Sequence, residues 1–433
     1  MSGQIVETPI LTELSERLSR PMEIQDLQRA RLHFLDWIGC AVAGAVEPAG
    51  AALRARPGND PLSKAFAWGG LGNILEMDDV DKRALLHPGP SIIPAALAVA
   101  QSHTTTLAQF LAAIVCGYEA TIRLGRAVGA GHYALWHSTG TCGAIGAAAA
   151  SARLMDLNAT QTAHAMALAV SQSAGLWHTR HDPGSMGKQL HTAVAARAGV
   201  DAAQLASVGF TGPLRILEGE QGFFAAMCPG SEASEVLANS AEGWVIHDVS
   251  FKPWPACRHA HAVIDAALAL RDQINPAQAS EFVVRTYPDA LKFCDQPNPS
   301  TVIDAKFSLQ HSVAIVMLRG APTLADFSMD AINDPQLAAL RSKVRVEVGT
   351  DFELAYPARF GAELACGDLT ETASDALGDP ENPMSDQQIR DKADMLMQAG
   401  SVDAEMRATI ITGVLSDDTN LADLSQLLSE ALA

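Results

Sequence analysis

Three histidines and two lysines, His87, His137, His311, Lys188 and Lys252, stand beside turn-forming residues, where side chains tend to face a cleft. His137 lies in Trp136-His137-Ser138-Thr139-Gly140-Thr141, directly ahead of an alanine-rich run. An imidazole with hydroxyls and backbone amides at a helix N-terminus can bind an anion and move a proton beside it. A capping Ser or Thr next to a core histidine is the plainer reading of the same residues. His87, in His87-Pro88-Gly89-Pro90, follows the acidic run Glu76-Met77-Asp78-Asp79. Carboxylates shortly before an imidazole can supply a proton-transfer group and its orienting partner, with Glu76 and Asp79 as candidates; solvated acids at a helix end give the same pattern.

Lys188 enters a helix from the loop Gly184-Ser185-Met186-Gly187, and Lys252 precedes Pro253-Trp254-Pro255. Lysine is rarely buried without an anion, so each lone cation points to a carboxylate contact, against the alternative of a solvated side chain. The glycine spacing and Lys-Ser/Thr ending of a phosphate loop are absent. His311, in Ala305-Lys306-Phe307-Ser308-Leu309-Gln310-His311, either reaches a cleft or is satisfied in the core. The pairs His178/His181 and His259/His261 invite a metal, yet no nearby Cys or carboxylate completes a zinc spacing, so no metal is expected. Cys257 reads as a packed thiol rather than a nucleophile.

Helices must carry most of these residues. Leu11, Leu14 and Leu18 recur at helical spacing after Thr8-Pro9, and Ile24, Leu27, Phe34, Ile38 and Ala41 mark a longer helix from about Glu23. Thr106 with Gln109 forms a capping box, a helix runs from about Gly143 to Leu154, and Thr160 caps the next. After Trp244 the pattern changes. Residues 281–287 and 343–349 alternate like half-buried strands, 359–366 more weakly, and 305–318 read as one helix. A turn-rich connector, 378–387, leads into a final helical tract capped by Ser385. The expected fold is mainly α: a large all-helical domain built from both chain ends, residues 1–248 and 385–433, with a smaller inserted α+β lid domain at 249–384 and a hinge where the chain crosses.

At 433 residues, 48% apolar and 18% charged, the chain is neither disordered nor fibrous. Thirty Lys and Arg against 49 Asp and Glu give a net charge of −19, so neither nucleic acid nor a membrane is expected as a partner. Glu7, Glu13 and Glu16 argue against a secretory signal, and no apolar stretch reads as a transmembrane helix. Seven cysteines without a CxxC pair point to reduced thiols and a cytoplasmic location. No cysteine trio has the spacing of an iron-sulfur site.

In order and rough spacing, EMDD with HPG, then GYE, HSTGT, GKQLH, GFTGP with LEG, KPWPAC with a following His, and AKFSLQH resemble the MmgE/PrpD family over nearly the whole chain. That family includes 2-methylcitrate dehydratases, cis-aconitate decarboxylases and iminodisuccinate epimerases. The resemblance implies a homodimer, a helical main domain with an inserted lid-like domain, and cofactor-independent chemistry on a small-molecule di- or tricarboxylate. It sets Glu76 where the decarboxylases have Asp, with Asp79 close by. His87 matches the HPG histidine, His137 the histidine before the Gly-rich helix, and Lys188 and Lys252 the two pocket lysines. His311 stands where decarboxylases and classical dehydratases carry Tyr, and Val80 where the decarboxylases carry Thr, which disfavours cis-aconitate decarboxylation.

The residues and the resemblance converge on a lyase, with a 2-methylcitrate or citrate-type dehydratase as the leading expectation. Lysines hold substrate carboxylates and neutralise developing enolate charge, a carboxylate or imidazole takes the carbon-bound proton, and a second imidazole protonates the departing hydroxyl. His137 is the first choice for proton transfer, with amide dipoles at the helix N-terminus expected to lower its pKa. Return of the proton to the opposite face would make the same pocket an epimerase of an iminodisuccinate-like substrate. A cis-aconitate-type decarboxylase and a non-catalytic helical binding protein are the further alternatives.

Overall fold

Capping chemistry sets where the main helices begin. Glu23 and Asp26 cap Ile24–Ala45 reciprocally, and Thr106 and Gln109 do the same for Leu107–Ala127. For Ala159–Val170 the cap is Asn158 with Gln161, so Thr160 falls inside the first turn instead of capping it. The alanine-rich helix is Ser138–Leu154, one turn longer at its start than the apolar pattern suggests, because His137 is its N-cap.

The computed structural model describes residues 8–182, 184–238 and 243–432, so Glu7 lies outside it. The chain divides into two compact units: Met1–Val249 with Ser385–Ala433, and Ser250–Met384. In the first unit the helix Gly89–Ala100 is buried at every position and runs through a hydrophobic cluster that includes Phe34, Trp37, Phe110, Ile114 and Ile145. Leu107–Ala127 is long and apolar enough to cross a membrane by length and composition, but 83% of its apolar window is buried within the protein. Its Glu119 accepts hydrogen bonds from Arg17, Arg20 and Arg123, as a core helix residue must when it carries a charge. Ser385 and Gln388 cap Asp386–Ala399, which packs against Ile24–Ala45.

The second unit has its own core and a four-stranded sheet. Strands β1 (Phe282–Thr286), β2 (Val344–Val348) and β3 (Ala362–Cys366) fall in the three alternating segments. A fourth, β4 (Leu369–Ala373), pairs antiparallel with β3 through the two-residue turn Gly367-Asp368, in which Gly367 has φ +60°. The sheet order is β2-β1-β3-β4, with β1 parallel to β2 and antiparallel to β3. Residues 305–318 are not one helix. Ser308 leaves the helical backbone between Val302–Lys306 and Leu309–Arg319, and its hydroxyl accepts the His311 N–H to cap the second.

Candidate active site

Between the helices Pro61–Leu71 and Gly89–Ala100 the chain makes a buried polar turn, closed by a backbone bridge between Asp81 and Leu86. Glu76 adopts a left-handed backbone, φ +60°, a conformation that costs a residue with a Cβ roughly 1–2 kcal/mol. The turn is held by its own acids. Asn73 donates to Asp78 Oδ2 at 2.6 Å. Asp79 accepts from the Gly89 amide at 3.0 Å and from the Tyr118 hydroxyl at 2.5 Å, and its Oδ2 is 2.8 Å from His33 Nδ1. Burial, with the Asp78 charge alongside, pushes the Asp79 carboxyl up to about 6 against the pull of the Tyr118 hydroxyl.

His87 closes the turn. Its Nδ1 lies 2.9 Å from the Asp79 carbonyl and 3.0 Å from Asp78 Oδ2, both acceptors, so Nδ1 carries a proton and donates. The His87 amide donates to Thr139 Oγ1 at 3.0 Å, tying the turn to the first turn of Ser138–Leu154. Glu76 is ion-paired with Lys188, which opens the helix Gly187–Ser207.

His137 is buried between these elements. Its amide donates to the Gly175 carbonyl at 2.8 Å, and its ring lies 4.4 Å from that of Trp177. Its Nδ1 is 3.2 Å from Nδ1 of His191, whereas its Nε2 is buried with no hydrogen-bond partner among the described residues. A Cβ on Gly140 would come within 2.9 Å of the His191 Cβ and 2.8 Å of the Ala174 carbonyl, so glycine in that first turn allows His191 its approach. Burial, and then the charge of Lys188, holds His137 well below the usual histidine range. The main cause is thus desolvation rather than the helix N-terminus. Burial and Lys188 lower His191 as well.

Of the residues singled out from the sequence, Glu76, Lys188, His87 and His137 are linked through Asp78, Thr139 and His191 in the first unit. Asp79 sits behind them with both oxygens occupied, ordering the turn. Lys252 is buried in the second unit. His311 is buried there too: its Nε2 lies 2.9 Å from the Asp326 carbonyl, and its Nδ1 accepts from Arg341 at 3.1 Å. Burial pushes His311 down to about 4, and neither ring nitrogen is left over for a substrate carboxylate. His259 and His261 make separate contacts, with the Tyr287 hydroxyl and the Ala256 carbonyl.

Sequence spacing does not separate Asp78 from Asp79 and does not single out His33; Tyr118 and His191 lie within the GYE and GKQLH segments without being picked out as site residues. A weak signal exists for two of them. His191 follows Lys188 by three residues on one helix face, and His33 is a polar residue inside the apolar run of Ile24–Ala45.

Known proteins are similar to this chain over most of its length. The MmgE/PrpD N-terminal domain matches residues 19–236 and the MmgE/PrpD C-terminal domain residues 254–417. The cis-aconitate decarboxylase of Homo sapiens is 28% identical over 358 residues, 77% of this chain and 72% of that protein. The cis-aconitate decarboxylase of Aspergillus terreus is 26% identical over 449 residues, 93% of this chain and 91% of the other. The 2-methylcitrate dehydratase of Cupriavidus necator is 26% identical over 336 residues, 71% and 67% of the two chains. With both domains of one family matched in order along its length, the chain belongs to the MmgE/PrpD family.

Proposed function

We propose that this protein is a cofactor-independent lyase acting on a small di- or tricarboxylate, a dehydratase of the 2-methylcitrate or citrate type. The contrast between two imidazoles carries the reading. His137 is buried, neutral and, among the described residues, without a hydrogen-bond partner at Nε2, which suits a base. His87 has the Asp78 carboxylate behind Nδ1, so the charge is compensated whenever its Nε2 takes a proton, which suits an acid.

The chemistry follows from those roles. With Nδ1–H of His137 donated to His191, a lone pair stays on Nε2 and takes a proton from the carbon next to a substrate carboxylate. Lys188 exchanges Glu76 for that carboxylate and neutralises the enolate that forms. The electron pair then closes the double bond, the neighbouring C–O bond breaks, and the hydroxyl leaves as water with the His87 proton.

Relatives named for cis-aconitate and 2-methylcitrate support a polycarboxylate substrate. The resemblance of the KPWPAC segment to the family's motif supports a carboxylate-binding role for Lys252. Seven free thiols, six of them buried, support a reducing, cytoplasmic setting, and the family resemblance supports a homodimer. The decarboxylase names of several relatives make loss of CO2 from cis-aconitate the second reading. The purified protein is to be incubated in deuterated water with citrate, 2-methylcitrate, cis-aconitate or iminodisuccinate and followed by NMR. Water loss from a hydroxy acid, with deuterium entering beside a carboxylate, is expected. CO2 release from cis-aconitate, with no dehydration of any hydroxy acid, would replace this reading with the second.

A further inference from the structure

The helix Asp386–Ala399 buries Ile389, Ala393, Leu396 and Met397 in an apolar stripe, and in the middle of that stripe it buries a lysine. Lys392 Nζ donates to Asp36 Oδ1 at 2.5 Å and to the backbone carbonyl of Met77 at 2.6 Å. Two helices must come close for this. A Cβ on Gly39 would lie 3.0 Å from the Ala393 Cα, so the glycine one turn after Asp36 lets the C-terminal helix seat its lysine against Ile24–Ala45.

Met77 lies between Glu76, which pairs with Lys188, and Asp78, which orients His87. We propose that Lys392 is a positioning residue of the active site, clamping the Glu76–Asp78 turn through the Met77 carbonyl, a role that rests on the proposed function of that turn. The left-handed backbone of Glu76 must be over-determined by its surroundings to persist. A charged donor on the next carbonyl supplies that constraint, and Asp36 keeps the donor charged: burial opposes the charge on Lys392, yet Asp36 holds its pKa above the usual lysine value. A lone buried pair has no need of a third partner, and the Met77 carbonyl makes this one more than a helix staple.

The test uses the full-length protein. Asp36→Leu/Lys392→Met replaces the pair with apolar groups of similar volume, an exchange that buried pairs often tolerate. The expected result is amide hydrogen exchange at residues 74–79 accelerated about tenfold or more, with the slowest core amides unchanged. Turnover should fall about tenfold or more while KM stays within about threefold, since the clamp sets geometry rather than affinity. Unchanged exchange at 74–79 in the folded double variant would overturn the proposal. If that variant does not fold, Asp36→Asn decides: without the carboxylate, burial strips the charge from Lys392 and weakens its hold on the Met77 carbonyl, so the 74–79 amides should again exchange faster than in wild type, and wild-type protection there would overturn the proposal. Wild-type protein inert on every polycarboxylate would refute the functional reading, whereas the exchange measurement reports on the clamp regardless.

Discussion

The Nδ1 atoms of His137 and His191 face each other 3.2 Å apart, so one ring must donate and the other accept. When His137 donates, its Nε2 is left as a lone pair in a buried site. His191 then accepts more strongly as His137 gains charge, because a hydrogen bond from a cation is worth about 1.5–3 kcal/mol. His191→Phe keeps the ring volume but accepts nothing, and should lower turnover by about tenfold or more. His191→Asn, with an amide oxygen of similar reach, should restore much of it. Steady-state kinetics of the two variants decide the matter, and equal activities would remove His191 from the mechanism.

Lys188 has a structural partner as well as a proposed substrate. Its ammonium is paired with Glu76, whose side chain is almost wholly buried. Lys188→Met should therefore cost about 3 kcal/mol of stability by taking the cation from a buried carboxylate, in addition to raising KM about tenfold or more. Adding Glu76→Gln should recover most of the stability and none of the affinity. Urea denaturation beside substrate titration separates the two effects; recovery of both would make the pair structural only.

Asp79 gives the fold a pH signature. Its carboxyl titrates at about 6 in the folded chain against 3.8 ordinarily, so the native state holds the proton more tightly than the unfolded state. Its contribution to stability is then greatest at acidic pH and declines as pH rises through the range from about 4 to about 6. Asparagine cannot ionise. Measured against wild type, Asp79→Asn should be less destabilising at pH 8 than at pH 4.5, by on the order of 2 kcal/mol. Denaturation curves giving the same difference at both pH values would contradict this.

Much of the fold could be read locally. Helix periodicity and capping boxes are contained in a few neighbouring residues, which is why Thr106 with Gln109 and Ser385 with its helix fall where the residues place them. β4 went unread because Leu369–Ala373 is largely exposed and lacks a strong apolar alternation; only the Gly367-Asp368 turn marks it. Lys188 and His137 stood out as lone polar groups beside glycine. The choice between Asp78 and Asp79 did not, since which carboxylate meets His87 depends on the left-handed backbone of Glu76 and on Tyr118, His33 and Gly89 capturing Asp79. Lys392 meets Met77 from 315 residues away, and nothing in the local pattern of either segment encodes that pairing.

Chelation should leave activity intact, because the proton carriers and cations proposed for the reaction are side chains. Asp375, Asp379 and Glu381 in the second unit do bring ligand atoms within 4.8 Å of one another, but Asp379 already accepts from Ser250 and Arg258. Full activity is expected after exhaustive dialysis against EDTA. Activity lost on chelation and restored by zinc, iron or magnesium would overturn the cofactor-independent mechanism.

Solvent exchange measures on its own the step proposed for His137, removal of a carbon-bound proton. His137→Asn keeps a polar group of similar reach that cannot exchange a proton near neutral pH. With a polycarboxylate on which the wild type is active, in deuterated water, the variant should still bind the substrate while deuterium incorporation and turnover both fall by roughly 10²-fold or more. Incorporation at the wild-type rate in a variant that folds and binds would remove His137 from proton abstraction and pass the role of base to His87 or Glu76.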